Sequence, residues 1–234
     1  MSMKIAIVGR ERRVVQEYKK EIRKAGMVYT DTRPDIVISL GGDGTLLLAE
    51  RWFPGVPKIP IRDHSICYKC DWNSLSNIIN RIKEKKYKIE EYEKLEATIK
   101  SGKQIYRKLC INDIVIRNTK PIHAIRFELW VNNKKINKIL IGDGIVVATP
   151  FGATGYYYSI TQQTFKKGIG LAFNNMTRPI NHLVLKENAK IKVKILRSDT
   201  TVASDNDPHV INIKEGDEVE IRKSDKISRI IRMR

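Results

Sequence analysis

The chain has 234 residues, 41% of them hydrophobic, and carries 44 Lys+Arg against 26 Asp+Glu, a net charge of +18. That length leaves room for two modest domains, each able to bury its own core, and no apolar run approaches the roughly 18 residues of a membrane-spanning helix. The basic residues are spread through helices and strand faces rather than gathered in one arm, so nucleic-acid binding is not expected as the main role. Positive charge of this kind also steers polyanionic small molecules. The N-terminus enters an apolar strand at once, without the apolar stretch and cleavage site of a secretion signal, which predicts a cytoplasmic protein. Cys67 and Cys70 have the spacing of a metal knuckle, yet no second pair stands elsewhere. Packing is therefore their expected role, and no protein-held metal is predicted.

Lys4 to Gly9 reads as the first strand, and Arg12 to Ala25 places Val14, Val15, Tyr18, Ile22 and Ala25 at helical spacing before a C-terminal glycine, Gly26. Asp35 to Leu40 is a β-branched apolar run, hence a buried strand. It is followed directly by Gly41-Gly42-Asp43-Gly44-Thr45 and by a helical pattern from Leu46 to Trp52. Three glycines let the backbone turn sharply and approach a ligand, and amides at a helix N-terminus favour phosphate oxygens. A carboxylate placed there makes sense if Asp43 holds a metal ion or takes a proton from a hydroxyl being phosphorylated. Lys58 to Ile61 is a further strand, and Ser74 caps a helix through Leu75, Ile78, Ile79 and Ile82. Strands alternating with helices imply a parallel α/β layer whose ligand site lies beyond the strands' carboxyl ends.

From about Tyr87 the period changes. Ala97 to Lys100 and Gln104 to Arg117 read as strands joined at Ser101-Gly102-Lys103, and Ile125 to Val131 and Ile136 to Ile141 as a hairpin around Asn132-Asn133-Lys134. Gly142-Asp143-Gly144 reads as a turn ahead of a strand from Ile145 to Ala148. A second glycine-rich turn then runs from Thr149 to Tyr156, and a helical turn or two is expected between Thr154 and Phe165. Leu183 to Lys186, Ile191 to Leu196, Val210 to Ile213 and Val219 to Arg222 complete a series of short strands. The fold class predicted is α/β: a small N-terminal parallel α/β domain over residues 1–86, then a β-rich, packed-sheet domain over 87–234. Ile227, Ile230 and Ile231 mark the tail as packed, and roughly the last 15 residues are expected to return to the first domain.

Gly41-Gly42-Asp43-Gly44-Thr45, then Asn112-Asp113, then Gly142-Asp143-Gly144 running into Thr149-Pro150-x-Gly152-x-Thr154-x-Tyr156, resemble the NAD kinases in order and spacing, over roughly residues 4–232. The first motif also occurs in diacylglycerol kinase-like and phosphofructokinase-like proteins; the stretch from Asp143 to Ser159 is more specific, and the Lys- and Ile-rich composition suits an archaeal, thermophilic type. The resemblance implies a site between a small α/β domain and a β-rich one, with Asp43 facing the 2′-hydroxyl of an adenosine ribose. Gly41, Gly42, Gly44 and Thr45 would bind ATP phosphates. Asn112, Asp113, Asp143, Thr154, Gly155, Tyr156 and Ser159 would bind NAD⁺. Mg²⁺ would be held mainly by the nucleotide phosphates, and the chain would form a homodimer or homotetramer.

The chain departs from the family pattern in several places. Asp113 stands where Glu is usual, and Ala153 and Gly155 where a hydroxyl residue and Ala are usual. Pro60-Ile61-Arg62-Asp63-His64-Ser65 replaces a Gly-x-Asn-x-Gly loop. Asp205-Asn206 replaces Asp-Gly, with Asn206 expected in the left-handed conformation. Tyr157 and Tyr158 are expected to pack. The leading expectation is a kinase making NADP⁺ from NAD⁺ with ATP or polyphosphate. Two alternatives stand beside it: a kinase of the same fold for another polyol, sugar phosphate or lipid, and a dinucleotide-binding or nucleic-acid-associated protein without catalysis.

Overall fold

The computed structural model describes residues 2–62, 69–70 and 74–233, with the side chains of residues 137 and 138 excepted. The backbone divides into two units, Met1–Tyr92 with Ile227–Arg234, and Glu93–Lys226. The expected class holds, with a helix-bearing parallel layer first and a strand-rich region after it. No helix of the described residues is long and apolar enough to cross a membrane. The expectations for Asp63, His64, Ser65 and Cys67 lie outside the described residues. Cys70, expected only to pack, is disulfide-bonded instead.

In the first unit the chain runs β1 (Lys4–Gly9), α1 (Arg12–Lys24), β2 (Val28–Tyr29), β3 (Ile36–Leu40), α2 (Asp43–Trp52), β4 (Lys58–Ile61) and α3 (Leu75–Lys83). The strands lie parallel in the order β2-β1-β3-β4, with Ile5 opposite Ile36 and Leu40 opposite Ile61. All five residues of β3 are buried, the continuous apolar run that a central parallel strand requires. Near the C-terminus Ile230 pairs in parallel with Lys58. The core is largely isoleucine, with Ile5, Ile22, Ile38, Ile59, Ile78 and Ile82 among its members. α1 ends as expected: Gly26 takes φ +79, its amide bonds to Arg23 O at 3.0 Å and that of Met27 to Ile22 O at 3.1 Å, a glycine cap that satisfies the last carbonyls. Ser74 caps α3 by accepting from Asn77 N at 3.3 Å.

The second unit holds β5 (Lys88–Ser101, entering from the first unit), β6 (Gln104–Cys110), β7 (Asp113–Asn118), β8 (Ile125–Val131) and β9 (Lys134–Ala148). A 3-10 turn (Phe151–Thr154), α4 (Tyr156–Thr161), β10 (Ile169–Met176), β11 (Leu183–Leu185), β12 (Ile191–Arg197), β13 (Thr200–Ser204), β14 (Ile211–Ile213) and β15 (Glu218–Arg232, ending in the first unit) follow. An antiparallel order β14-β13-β7-β9-β8-β12-β15 organises the unit, with β10 on β9 and β11 on β10. The hairpin between β8 and β9 is a two-residue turn, since Val131 pairs with Lys134. Asn132 and Asn133 have φ of +50° and +65°, the primed turn that matches strand twist.

Three expectations change. The strand read from Gln104 to Arg117 is two strands, interrupted at Ile111-Asn112. Gly142-Asp143-Gly144 is no turn but part of the unbroken β9, at the place where its neighbour changes: Gly144 pairs with Arg117 of β7 and Gly142 with Ile125 of β8. Gly144 has φ +141, and a Cβ there would lie 1.9 Å from Ile116 O, so glycine allows the hand-over rather than a reversal. β10 and β13 were not legible. β10 contains Gly170, where a Cβ would stand 2.3 Å from the Phe165 ring, and a glycine required for packing dilutes the strand signal.

Candidate active site

In the first unit, β3 delivers the chain into Gly41, whose φ of +145° only glycine adopts readily. Its amide donates to Ile61 O at 3.0 Å, tying the turn to the end of β4. Gly42 is the N-cap of α2, which begins at Asp43 rather than after Thr45. The earlier start places the acidic Asp43 in the first turn, where the helix dipole favours a negative charge. Thr45 N and Leu46 N bond to Gly42 O at 3.0 and 3.3 Å, and the Thr45 side chain is buried, so it belongs to the packing under the turn. Asp43 and Gly44 are half-buried at its rim. Asp43 Oδ1 accepts from Lys69 N at 3.2 Å, and Arg232 Nη1 holds Lys69 O at 2.7 Å.

Behind this turn lies a charged pair that sequence reading did not single out. Lys58 is fully buried and donates to Glu50, and to Phe53 O at 2.6 Å. Glu50 also accepts from Ser228 Oγ at 2.6 Å and Gly55 N at 3.0 Å, which satisfies charges taken out of water.

In the second unit the interruption between β6 and β7 is built around Asp205. Its carboxylate accepts from the amides of Ile111 at 2.9 Å, Asn112 at 2.8 Å and Asp113 at 3.2 Å. Burial pushes the Asp205 carboxyl up to about 6, against these three donors and the charge of Lys94, which hold it down. Asp205 itself takes the left-handed conformation, φ +48, so the position expected for Asn206 falls one residue earlier. Thr149 fastens the other side: its amide donates to Asn112 O at 2.8 Å and its hydroxyl to Ile111 O, while the same oxygen accepts from Gly152 N at 3.0 Å. A Cβ at Gly152 would lie 2.2 Å from Asn112 O, so glycine is required where the two segments touch. The buried Asn112 and Asp113 turn their side chains towards Gly155, whose added Cβ would stand 3.7 Å from Asn112 Nδ2 and 3.8 Å from Asp113 Oδ2. Gly155 in place of a larger residue thus leaves space beside an amide and a carboxylate.

Asp143 forms a separate cluster further along β9. Its oxygens accept from Asn118 Nδ2 at 3.2 Å and Asn175 Nδ2 at 3.0 Å. Thr154 and Ser159 are exposed, and Ser159 Oγ donates to Tyr156 O at 2.8 Å. Tyr156 is half-buried, its hydroxyl accepting from Asn174 Nδ2 at 3.4 Å. Asn174 lies opposite Gly144, so Tyr156 and Asp143 border the same pair of strands. Tyr157 packs as expected, buried and edge-on to Phe165 at 5.0 Å. Tyr158 does not; it is 44% exposed, because a helix as short as α4 cannot bury neighbouring positions on one face. Asn118, Asn174, Asn175, Thr149 and Asp205 support the expected residues and were not foreseen in that role. Their one signal is a polar residue at a strand end or interior, which needs a partner. Among the described residues no group of three His, Cys, Asp or Glu side chains could hold a metal ion.

Residues 111–233 match the model of the ATP-NAD kinase C-terminal domain. The bifunctional NADP phosphatase/NAD kinase of Methanococcus maripaludis is 31% identical over 202 residues, covering 81% of this chain. This chain spans only 35% of that longer relative. The NAD kinase of Sulfurisphaera tokodaii is 29% identical over 246 aligned positions, covering 98% of this chain and 95% of the relative. The crystal structure of yeast NADH kinase complexed with NADH has the same fold: TM-score 0.86 at 16% identity, over 98% of this chain and 83% of that one. With the motifs in place on this fold and more than half the chain inside the family model, the chain belongs to the NAD kinase family.

Proposed function

We propose that this protein transfers the γ-phosphoryl group of ATP to the adenosine 2′-hydroxyl of NAD⁺, giving NADP⁺ and ADP. The observation that carries the reading is Asp43 in the first turn of α2, behind a glycine with φ +145 and with its carboxylate oriented by Lys69 N. Phosphoryl transfer asks mainly for positioning and charge neutralisation. In this reading the turn amides cradle the donor phosphates, and Asp43 accepts the proton as the 2′-oxygen bonds to phosphorus and the bridging oxygen leaves with ADP. Asn112, with donor and acceptor groups on one side chain, and Asp113 hold the adenosine ribose or base in the space beside Gly155. Tyr156 offers an aromatic face to the dinucleotide, with Thr154 and Ser159 as exposed hydroxyls and Asp143 towards its nicotinamide half.

The donor set suits a cation that arrives on the nucleotide. Asp43 is a single carboxylate facing a backbone amide, and Mg²⁺ commonly keeps one or two carboxylates plus substrate phosphates. When bound, Mg²⁺ neutralises charge developing on the phosphoryl oxygens.

We also infer a homodimer or homotetramer in the cytoplasm. A groove of about 530 Å³, lined mostly by apolar side chains such as Ile139, Ile141, Met176 and Ile180 with Thr177 and Arg178 beside them, supports self-association, and sedimentation velocity reads it out.

The test of the activity is NADP⁺ formation from NAD⁺, ATP and Mg²⁺, followed with an NADP⁺-specific dehydrogenase. Wild type is expected to turn over, and Asp43→Asn to lose activity while binding NAD⁺ almost unchanged. An Asp43→Asn variant as active as wild type would remove the base assignment. Folded wild type that makes no NADP⁺ would move the reading to another acceptor hydroxyl.

A further inference from the structure

We propose that a cleft at the carboxyl ends of β1 and β3, flanked by Arg10 and Arg62, holds the polyphosphate chain of the phosphoryl donor. The proposal rests on the kinase reading above and names the residues that bind the donor beyond the glycine turn.

Topology sets the place. β1 has β2 on one side and β3 on the other. The chain leaves β1 through α1 to β2 and then crosses to the opposite side, so the strand order reverses between β1 and β3. In open parallel sheets such a reversal opens a crevice beyond the carboxyl ends, where ligands bind. A cavity of about 140 Å³ lies there, lined by Gly9 and Leu40 at the two strand ends and by Arg10, Glu11, Tyr18 and Arg62 around them. Gly9 keeps it narrow, since a Cβ would stand 2.9 Å from Val15 Cγ2 and 3.2 Å from Leu40 Cβ.

The walls of the cleft are apolar, with Val14, Val15 and Leu40, and the charged groups stand around them; it is these that point to phosphate. Arg10 and Arg62 outnumber the one carboxylate, Glu11, and α1 presents its N-terminal end with no acidic residue in its first turn. Guanidinium forks match phosphate oxygens two at a time. Burial pushes the Tyr18 hydroxyl above its ordinary value, so it stays a protonated donor at neutral pH. The volume decides how much of the donor fits. Drug-sized ligands occupy about 300–1,000 Å³, so this cleft takes phosphate groups and leaves a nucleoside outside. Its position suits transfer, because Leu40 leads directly into Gly41, whose amide bonds to the carbonyl of Ile61, the residue before Arg62. Arg62 also stands in the 60–65 stretch where this chain departs from the family loop, so the contact is a property of this chain.

The same chemistry is offered by a nucleoside triphosphate and by inorganic polyphosphate. The experiment therefore measures KM for ATP and for long-chain polyphosphate at saturating NAD⁺, and titrates the full chain calorimetrically with tripolyphosphate. Arg10→Ala, Arg62→Ala and the charge reversal Arg10→Glu are compared with wild type. Each alanine variant is expected to weaken tripolyphosphate binding and raise the donor KM about tenfold, the effect of losing one charge-assisted contact, and Arg10→Glu more. KM for NAD⁺ and the melting temperature are expected to stay at wild-type values. A shift for ATP supports a nucleotide triphosphate in the cleft, and a shift for polyphosphate alone supports the inorganic chain. Wild-type donor KM and tripolyphosphate affinity in both alanine variants would overturn the proposal, as would an equal rise in KM for NAD⁺. Absence of NADP⁺ from wild type with either donor would sink the kinase reading instead, while the titration still decides whether the arginines bind polyphosphate.

Discussion

Asp205 shows how one side chain connects fold, proton and site. Its carboxylate gathers three consecutive amides and so creates the interruption at which the buried Asn112 and Asp113 sit. Burial raises its folded value to about 6 from 3.8. Between those values the folded state keeps a proton that the unfolded chain has already released. This group's stabilising contribution is therefore present below the unfolded value and lost as pH rises through about 6, on the order of 3 kcal/mol in all. The stability that Asp205→Asn loses relative to wild type, read by denaturant unfolding, should accordingly be larger at about pH 4.5 than at about pH 7. Function runs the other way: protonation weakens the acceptor of the three amides, so KM for NAD⁺ should rise as pH falls below about 6. A KM flat from pH 7 to 5 would detach Asp205 from the site. Gly152 makes a simpler case. A Cβ would press against Asn112 O, so Gly152→Ala should raise KM for NAD⁺ more than it lowers the melting temperature.

β4 and α2 meet through Lys58 and Glu50, a pair both of whose members are buried and hydrogen-bonded. Removing one partner leaves an uncompensated charge, so Lys58→Met should cost about 3–5 kcal/mol in denaturant unfolding. Changing both at once, Lys58→Met with Glu50→Gln, should recover a large part of that loss. Because α2 also carries Asp43 in its first turn, the single variant should lose activity in step with stability. The helices here were readable from sequence because caps and periodicity are local: Ser74, Gly26 and the spacing in α1 each act within a few residues. β9 was not readable as one strand, because Gly142 and Gly144 carry the signature of a turn. They serve instead to let β7 and β8 share one neighbour, a demand made by strands distant in sequence.

Across the chain, a net charge of +18 should make the capture of anionic substrates sensitive to salt. Raising ionic strength from 0.05 to 0.5 M shortens the screening length to about a third. KM for both ATP and NAD⁺ should therefore rise several-fold with kcat little changed, and a salt-independent KM would show that the charge is spread too evenly to steer. The sequence by itself determined the parallel layer, the β-rich region, the glycine turn with its carboxylate and the family, because each is written in contiguous residues or in a fixed order of motifs. Tertiary structure alone decided that Asp205 holds the Asn112-Asp113 segment, that Asn118 and Asn175 hold Asp143, and that Arg10 and Arg62 border one cleft. Those partners are separated by 25 to 93 residues or by whole strands, and no local propensity links them. Sheet register and the packing of buried polar groups bring the carboxylates within bonding distance of their amides, and sheet order sets the two arginines at one cleft.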